Sequence, residues 1–448
     1  MSADLESLAG AMLSAATSAG ADGADALVVD GTSVSISVLG GALESAERSE
    51  AIELGLRVLV GQRQALVSVS DTSADAIATM AERAVAMAKE APEDPHIGLA
   101  APDELAQDPD VAGLELFDPA EEPSPEQLQD HAVRAEAAAL DVAGVSQVQS
   151  ATAAYGRRRI HLAATNGFAQ GYARTDTAIS CVAITGSGTE MERDYAGEQR
   201  IFAADLPTPE EVGTLAGQRT AERSGARKPP TGAFPVLYDE RVSSSLIGHL
   251  LQAANGASIV RGASWLRDAQ GEAVLPAALS LIEEPDRPRK TGSKPFDAEG
   301  LATRSRTIVE DGVLTGWTLD LATGRKLGLP STANAARGPA STPAPSNHNI
   351  RLTQGTQSRD DLLREMGTGL LITSMIGSSV NPNTGDYSRG ASGFWVENGE
   401  IQYPVNECTV AGHLREMLMS LVPANDARAH LSRMVPSLLV EGLTIAGE

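Results

Sequence analysis

Apolar positions recur at helical spacing near the start of the chain, at Leu5, Leu8, Met12, Leu13 and Ala16, and the run ends before Gly20. This spacing predicts a helix over 4–19. The pattern then changes to alternation. ALVVD (26–30), SVSISVLGG (33–41), AIELGLRVLVG (51–61) and QALVSVS (64–70) read as strands, with hairpin turns at Gly40-Gly41 and Gly61-Gln62-Arg63. Helical periodicity returns in DTSADAIATMAERAVAMAKE (71–90), with Asp71 or Ser73 as cap and Lys89 in the last turn. Helix, antiparallel strands and helix together make an α+β unit.

Residues 91–124 are rich in Pro, Asp and Glu and keep no period, so they read as an acidic surface crossing rather than core. A helix is predicted at 125–141, a second β-rich stretch at 145–185, and a helix at 208–224 opened by Pro207-Thr208-Pro209. ARKPPTGAFP (226–235) is the clearest boundary. It divides an N-terminal α/β domain with antiparallel strands, 1–228, from a β-rich C-terminal domain, 229–448.

Past the boundary, FPVLYD is a strand, and DERVSSSLIGHLLQAANG is a helix capped by Asp239 and stopped by Gly256. TIVEDGVLTGW turns on Asp311-Gly312 and FWVENGEIQYPV on Asn398-Gly399, dipeptides that favour two-residue hairpins. IGSSVNPNTGDYSRGASG (376–393) is polar and glycine-rich between apolar runs and reads as a functional loop. No tandem repeat occurs at solenoid or propeller periods. The C-terminal half is expected to be antiparallel β with one prominent helix.

Composition narrows the function. Of 448 residues, 59 are acidic and 35 basic, a formal charge of −24 that repels phosphate backbones and anionic membranes. Nucleic acid and membrane are therefore not expected partners. Cys181 and Cys408 stand far apart, which fits a reducing compartment. The first residues lack a basic segment followed by an apolar core, and no apolar run is long enough to span a bilayer, so a cytoplasmic location is expected.

The candidate chemistry centres on His249, which shares a helical stripe with Val242, Leu246, Leu250 and Ala253. A zinc peptidase helix needs a second histidine about one turn away and a glutamate beside it. With HExxH spacing those positions are Ser245 and Leu246; with HExxxH spacing they are Ser244 and Ser245. No register gives a zinc pair, and a packed helix histidine is the plain alternative. His96, His131, His161, His348, His413 and His430 supply no complete ligand pattern, and a set built from His249, Cys408 and His413 is improvised. GxGxxG, Walker A and GxSxG motifs are absent, and Ser243–Ser245 have no base nearby in sequence.

The C-terminal half resembles the TldD/PmbA metallopeptidase family, and within it the TldE (PmbA) branch. The resemblance lies in FPVLYDERVSSSLIGHLLQAANGASIVRGASWL, DLATGRKLGLPSTANAARG (320–338) and SVNPNTGDYSRGASGFWVENGEIQYPV (379–405). It implies an N-terminal α/β domain and a C-terminal domain with a barrel-like antiparallel core. In the TldD branch an HExxxH helix and a downstream cysteine bind zinc. Carried onto this chain, the first ligand falls on Ser244, the glutamate on Ser245, the second ligand on His249 and the cysteine on Trp395. The resemblance thus implies a degenerate site with no zinc of its own, in a subunit that pairs with a TldD-type zinc peptidase acting on small or unfolded peptides. Whether the chain forms a homodimer when that partner is absent is left open by the sequence. Asn381, Asn383, Asp386 and Arg389 become candidates for contact with an extended peptide, against the plain reading that they serve turn geometry. Two alternatives stay open: a metallopeptidase acting alone with unusual ligands, and a regulatory binding protein of the DNA gyrase modulator type.

Overall fold

Two sets of one helix, three strands and one helix build the N-terminal half. The structure, a computed structural model, describes residues 4–447, without the side chain of Ser378. The first set is α1 (Leu5–Ser18), β1 (Gly23–Leu39), β2 (Ala42–Val60), β3 (Arg63–Val69) and α2 (Ala74–Glu90). The second is α3 (Pro125–Leu140), β4 (Val145–Ala164), β5 (Ala169–Thr185), β6 (Glu192–Arg200) and α4 (Pro209–Ala221). Their strands join in one antiparallel sheet, ordered β3-β2-β1-β4-β5-β6. The two sets meet where β1 and β4 pair from Asp25↔Ala164 to Val38↔Ala151. This internal duplication lies in the order of elements, which a search for short periods does not detect.

Strand alternation decides what each face covers. Ala24, Ala26 and Val28 of β1 and Leu54, Leu56 and Val58 of β2 lie under α1 and α2, against Met12, Ile77 and Met80. The intervening Leu27 and Val29 point to the opposite face and pack with Leu162, Phe168 and Phe296. The helix starts follow their caps. Ser73, not Asp71, is the N-cap of α2; Asp71 supports it by accepting from the Ser73 N–H. Ser124 and Thr208 form capping boxes ahead of Pro125 and Pro209.

Three sequence expectations change here. The runs 26–30 and 33–41 are one strand, because Gly31 and Thr32 are paired on both sides, with β2 and β4. Residues 91–124 hold no helix or extended strand, but they are not merely surface. Ala100, Ala106, Leu114 and Leu116 are buried, and Arg325 donates to the His96 and Leu99 carbonyls. Gly256 does not stop the His249 helix. That helix ends at Ala253, Asn255 caps the next short helix, and Gly256 is small because a Cβ there would lie 2.6 Å from Leu319.

The C-terminal half is organised by β7 (Gly232–Tyr238), α5 (Glu240–Ala253), β8 (Gly369–Val380), β9 (Asp386–Glu397), β10 (Glu400–His413) and β11 (Leu438–Ala446). β7 pairs parallel with β8; β8–β9, β9–β10, β10–β11 and β11–β7 are antiparallel, closing a five-stranded barrel. Val236, Tyr238, Leu370, Ile372, Leu438 and Val440 pack in the large core that includes α5. Their neighbours Leu237, Leu371 and Leu439 face the helix at Arg359–Met366. The expected loop at 376–393 is mostly the β8–β9 hairpin, with only 381–385 outside the strands. Asn398 and Gly399 both have positive φ, 52° and 77°, as the tight turn requires.

Charged groups tie the two halves together. Asp25 of β1 is buried between Arg57 of β2 and Arg337 from the C-terminal half. Asp194 of β6 pairs with Arg241 of α5 at 3.1 Å and with Arg223 at 3.7 Å. Arg428 bridges Glu198 of β6 and Glu240 of α5.

The barrel wall predicts a contrast between two glycines. A Cβ on Gly393 would lie 1.9 Å from the Leu371 carbonyl oxygen, whereas one on Gly10 in α1 meets nothing within 4 Å. Gly393→Ala is expected to destabilise by about 1–3 kcal/mol or more. Gly10→Ala should stabilise by roughly 0.5–1 kcal/mol. Chemical denaturation of both variants checks the pair.

Candidate functional site

The β7–α5 junction sets the position of the sequence-derived site. Asp239 caps α5, accepts from the Arg241 N–H at 3.1 Å, and pairs with Arg359 at 3.1 Å. Ser243, Leu246, Ile247, Leu250, Leu251 and Ala253 form the buried stripe of the helix, and His249 lies half-buried on its flank. The imidazole meets the Tyr387 ring edge-on, with centroids 5.8 Å apart. Its Nε2 is buried without a hydrogen-bond partner among the described residues. Burial, and then the charge of Arg389, hold its pKa below the usual histidine range.

Apart from Arg389, the side chains around it are neutral. Tyr238 donates to Tyr387 at 3.5 Å, Tyr387 donates to the Met375 sulfur at 3.7 Å, and Ser245 donates to the same sulfur at 3.9 Å. Ser244 is half-buried on the same helix. Trp395 does not join them. Its ring packs on Phe234, and its indole donates to Glu397 at 3.0 Å. Trp395 and Tyr387 are eight residues apart on β9, about 26 Å in extended chain. Position 395 therefore faces a different part of the barrel from His249.

The thiol nearer this level is Cys408, which no reading of the motif places there. Ala391 pairs with Met375 on one side and Cys408 on the other, and the Cys408 thiol donates to the Ala391 carbonyl at 3.2 Å. Burial pushes that thiol up to about 11, so it stays protonated near neutral pH. Zinc takes imidazole, thiolate and carboxylate donors. Two serine hydroxyls, a thioether, phenols and one imidazole do not fit it. Among the described residues no group of three or more His, Cys, Asp and Glu side chains could hold a metal ion, the His249–Cys408–His413 set included.

The hairpin candidates serve their own turn. Asn381 accepts from the Asn383 N–H through its side chain and from the Gly385 N–H through its carbonyl. Thr384 donates to the Asp386 carboxylate at 2.6 Å. Arg389 donates to the Gly377 carbonyl at 2.7 Å, and it is the member of the set whose charge reaches His249. A cleft of about 860 Å³ opens on the other side of Met375 and Cys408, between β6 and the barrel. Its wall includes Met191, Tyr195 and Ile376, the last 72% exposed.

Comparison with known proteins follows this geometry. Sequence profiles of the PmbA/TldA metallopeptidases match residues 24–88 as domain 1, 118–227 as the central domain and 231–447 as the C-terminal domain. Metalloprotease PmbA of Escherichia coli O157:H7 is 38% identical over 95% of this chain and 93% of its own length. The chain belongs to the PmbA/TldD metallopeptidase family. The Metalloprotease PmbA homolog of Haemophilus influenzae is 36% identical over 96% of this chain and 94% of its own. Among solved structures, a Bacteroides thetaiotaomicron protein described as a candidate modulator of DNA gyrase superposes with TM-score 0.91, 25% identity and full coverage of both chains. TldE from Thermococcus kodakarensis has the same fold, with TM-score 0.85 at 20% identity over 98% of this chain and 100% of its own. Within this PmbA/TldD frame, the first two profile regions share the six-stranded sheet, and the third holds the barrel and α5. No helix among the described residues is long and apolar enough to cross a membrane.

The burial of His249 and the nearby Arg389 charge predict a pH effect. Above about pH 6.5 the ring is uncharged in both the folded and unfolded chain. Below that, the unfolded chain takes up a proton that the buried ring resists, so stability falls with acid. His249→Gln removes this contribution. Its unfolding midpoint should fall less than the wild type's between about pH 7 and pH 5.5; equal falls would show that His249 titrates normally in the fold.

Proposed function

We propose that this chain is the zinc-free, TldE-like subunit of a cytosolic two-chain peptidase whose working metal centre belongs to a TldD-type partner. One observation carries the reading. On α5, serines 244 and 245 stand where the resemblance to the TldD motif puts the first zinc ligand and the general base, while the helix, its cap and the barrel around it are intact. A serine hydroxyl is a weak zinc donor and no base at neutral pH. Ser245 is also turned to a thioether, and Cys408 is kept as a thiol.

The role left to such a chain is to shape the chamber and to hold substrate. An extended, unfolded peptide adds to a sheet edge through main-chain hydrogen bonds, a mode that tolerates many sequences. The β8–β9 hairpin, with Asn381, Asn383, Asp386 and Arg389, is the element of this half best placed to border that chamber. The partner supplies the zinc-activated water.

The test is to purify the chain alone and with a TldD-type subunit, then measure bound zinc and cleavage of an unfolded peptide. The expected result is no zinc and no cleavage alone, with cleavage in the mixture that disappears when the partner's zinc ligands are replaced. Stoichiometric zinc on this chain alone, with activity lost in His249→Ala, would make it a peptidase in its own right. A change in gyrase supercoiling with no cleavage in the mixture would favour the regulatory alternative.

A further inference from the structure

A second cleft, of about 490 Å³, lies on the face of the N-terminal sheet opposite its helices. Its floor is apolar, made by Leu27 and Val29 of β1 and Ile160 and Leu162 of β4, with Tyr172 and Phe296 as an aromatic wall. The two rings meet edge-on at 5.5 Å. A segment from the C-terminal half, Arg337–Pro339, borders it.

The charges above this floor are arranged against their own repulsion. Arg158 of β4 and Arg174 of β5 are directly opposed across the sheet, and both line the cleft. Like charges in directly opposed positions destabilise a sheet. Lys294 adds a third cation, close enough to Arg174 to feel its charge. Among the described residues neither Lys294 nor Arg158 forms a salt bridge; Arg174 donates to the Thr291 carbonyl and also meets the Tyr172 hydroxyl. Burial, and then Arg174, lower the pKa of Lys294, the direction expected of an amine that lacks its counter-ion.

The acids in the cleft offset this only in part: Asp297 draws the Lys294 pKa up, but less than burial and Arg174 lower it. Asp297 accepts from the N–H groups of Glu299, Leu301 and Ala335, so its oxygens are turned to the backbone. Glu53 is exposed at the rim. Arg337 is itself matched by Asp25. Lys294 and Arg174 thus stand over an apolar floor, with the exposed Arg158 opposite Arg174, in a chain whose formal charge is −24.

We propose that this cleft binds a carboxylate carried on an apolar stem, with the carboxylate between Arg158, Arg174 and Lys294 and the stem on the Leu27–Leu162 floor beside Tyr172 and Phe296. Guanidinium groups match a carboxylate with two parallel hydrogen bonds. Small-molecule sites commonly combine an apolar bed with a few such polar groups. A phosphate fits less well, because the lining comes from strands and extended segments and offers no helix N-terminus. Two sources share this chemistry: a free apolar monocarboxylic acid, and the C-terminus of a short peptide ending in an apolar residue.

The test uses the full chain and calorimetric titration with four probes: 3-phenylpropionate, its primary amide, the dipeptide alanyl-phenylalanine, and that dipeptide's C-terminal amide. At least one acid should bind with a dissociation constant of about 1 mM or tighter, and its amide at least about tenfold more weakly. Lys294→Gln and Arg158→Gln should each remove most of that preference while keeping the thermal midpoint of the wild type. In the unaltered chain, the bound acid should slow acylation of Lys294 by an amine-selective reagent, read by mass spectrometry. Preference for both acids supports a site for apolar monocarboxylates in general; preference for the dipeptide alone assigns a peptide C-terminus. Equal binding of acids and amides, an acid preference that survives in both variants, or undiminished labelling of Lys294 would overturn the proposal.

Discussion

One buried carboxylate, Asp25, fixes the relation between the two halves of the molecule. Removal from water alone would raise its pKa, but Arg337 and Arg57 outweigh that and hold the group ionised. The Asp25 and Arg57 side chains are 5% and 4% exposed, and Arg337 is 1% exposed. Losing one member of such a group leaves an unmatched buried charge, a loss of about 3–5 kcal/mol. The consequence is geometric as well as energetic. Arg337 carries the segment through Pro339 down onto β2, where a Cβ on Gly55 would lie 2.2 Å from the Pro339 carbonyl oxygen. That contact sets the border of the cationic cleft, so the cleft exists because Asp25 is matched from the other half of the chain.

A second group of charges does the same for the barrel side. Asp194 on β6 reaches Arg241 on α5, Asp239 caps α5 and holds Arg359, and Arg428 spans Glu198 and Glu240. The start of α5 is therefore held by the N-terminal sheet, by the barrel and by the helix at Arg359–Met366. None of these contacts depends on a metal. This gives a physical reason why a metallopeptidase frame can persist around Ser244 and Ser245: the frame's stability comes from ion pairs and from the packing of Leu246, Ile247 and Leu250, not from ligands at the centre.

What was legible in the sequence was what local chemistry decides. The helix opening at Pro207-Thr208-Pro209, the cap at Asp239 and the turns at Asp311-Gly312 and Asn398-Gly399 stand as read, because each is specified within four residues. The joining of 26–30 to 33–41 and of 376–393 into a hairpin was not legible, because partner strands decide it, and they lie 123 and 133 residues away (Ser33 pairs with Gly156, Val28 with His161) or across a turn of unusual composition. That α5 holds no zinc pair could be read from spacing; that Ser244 and Ser245 stand at the ligand and base positions is what the family resemblance implies. The places of Trp395 and Cys408 could not be read, since which residue of β9 or β10 stands level with α5 depends on barrel register and its bulges. Arg337 gave no signal at all; an arginine in AARGP has no local mark of a partner at Asp25.

The two clefts differ in a way that bears on how the molecule meets its ligands. Around His249 and Met375 the groups are neutral and polarisable except for Arg389, which donates to the Gly377 carbonyl, so an extended chain there would be held mainly by backbone bonds and apolar contact. The cleft of Arg158, Arg174 and Lys294 is cationic inside a strongly acidic molecule. At 0.15 M ionic strength fields are screened within about 8 Å, so an approaching acid feels the acidic surface first and the three cations only on contact. Such an arrangement gives no steering and leaves discrimination to the last step, where the anion displaces water between the arginines. A site of this kind favours a ligand that is abundant or already tethered nearby over one that must be captured from dilute solution, because its selectivity lies in fit and not in rate of encounter.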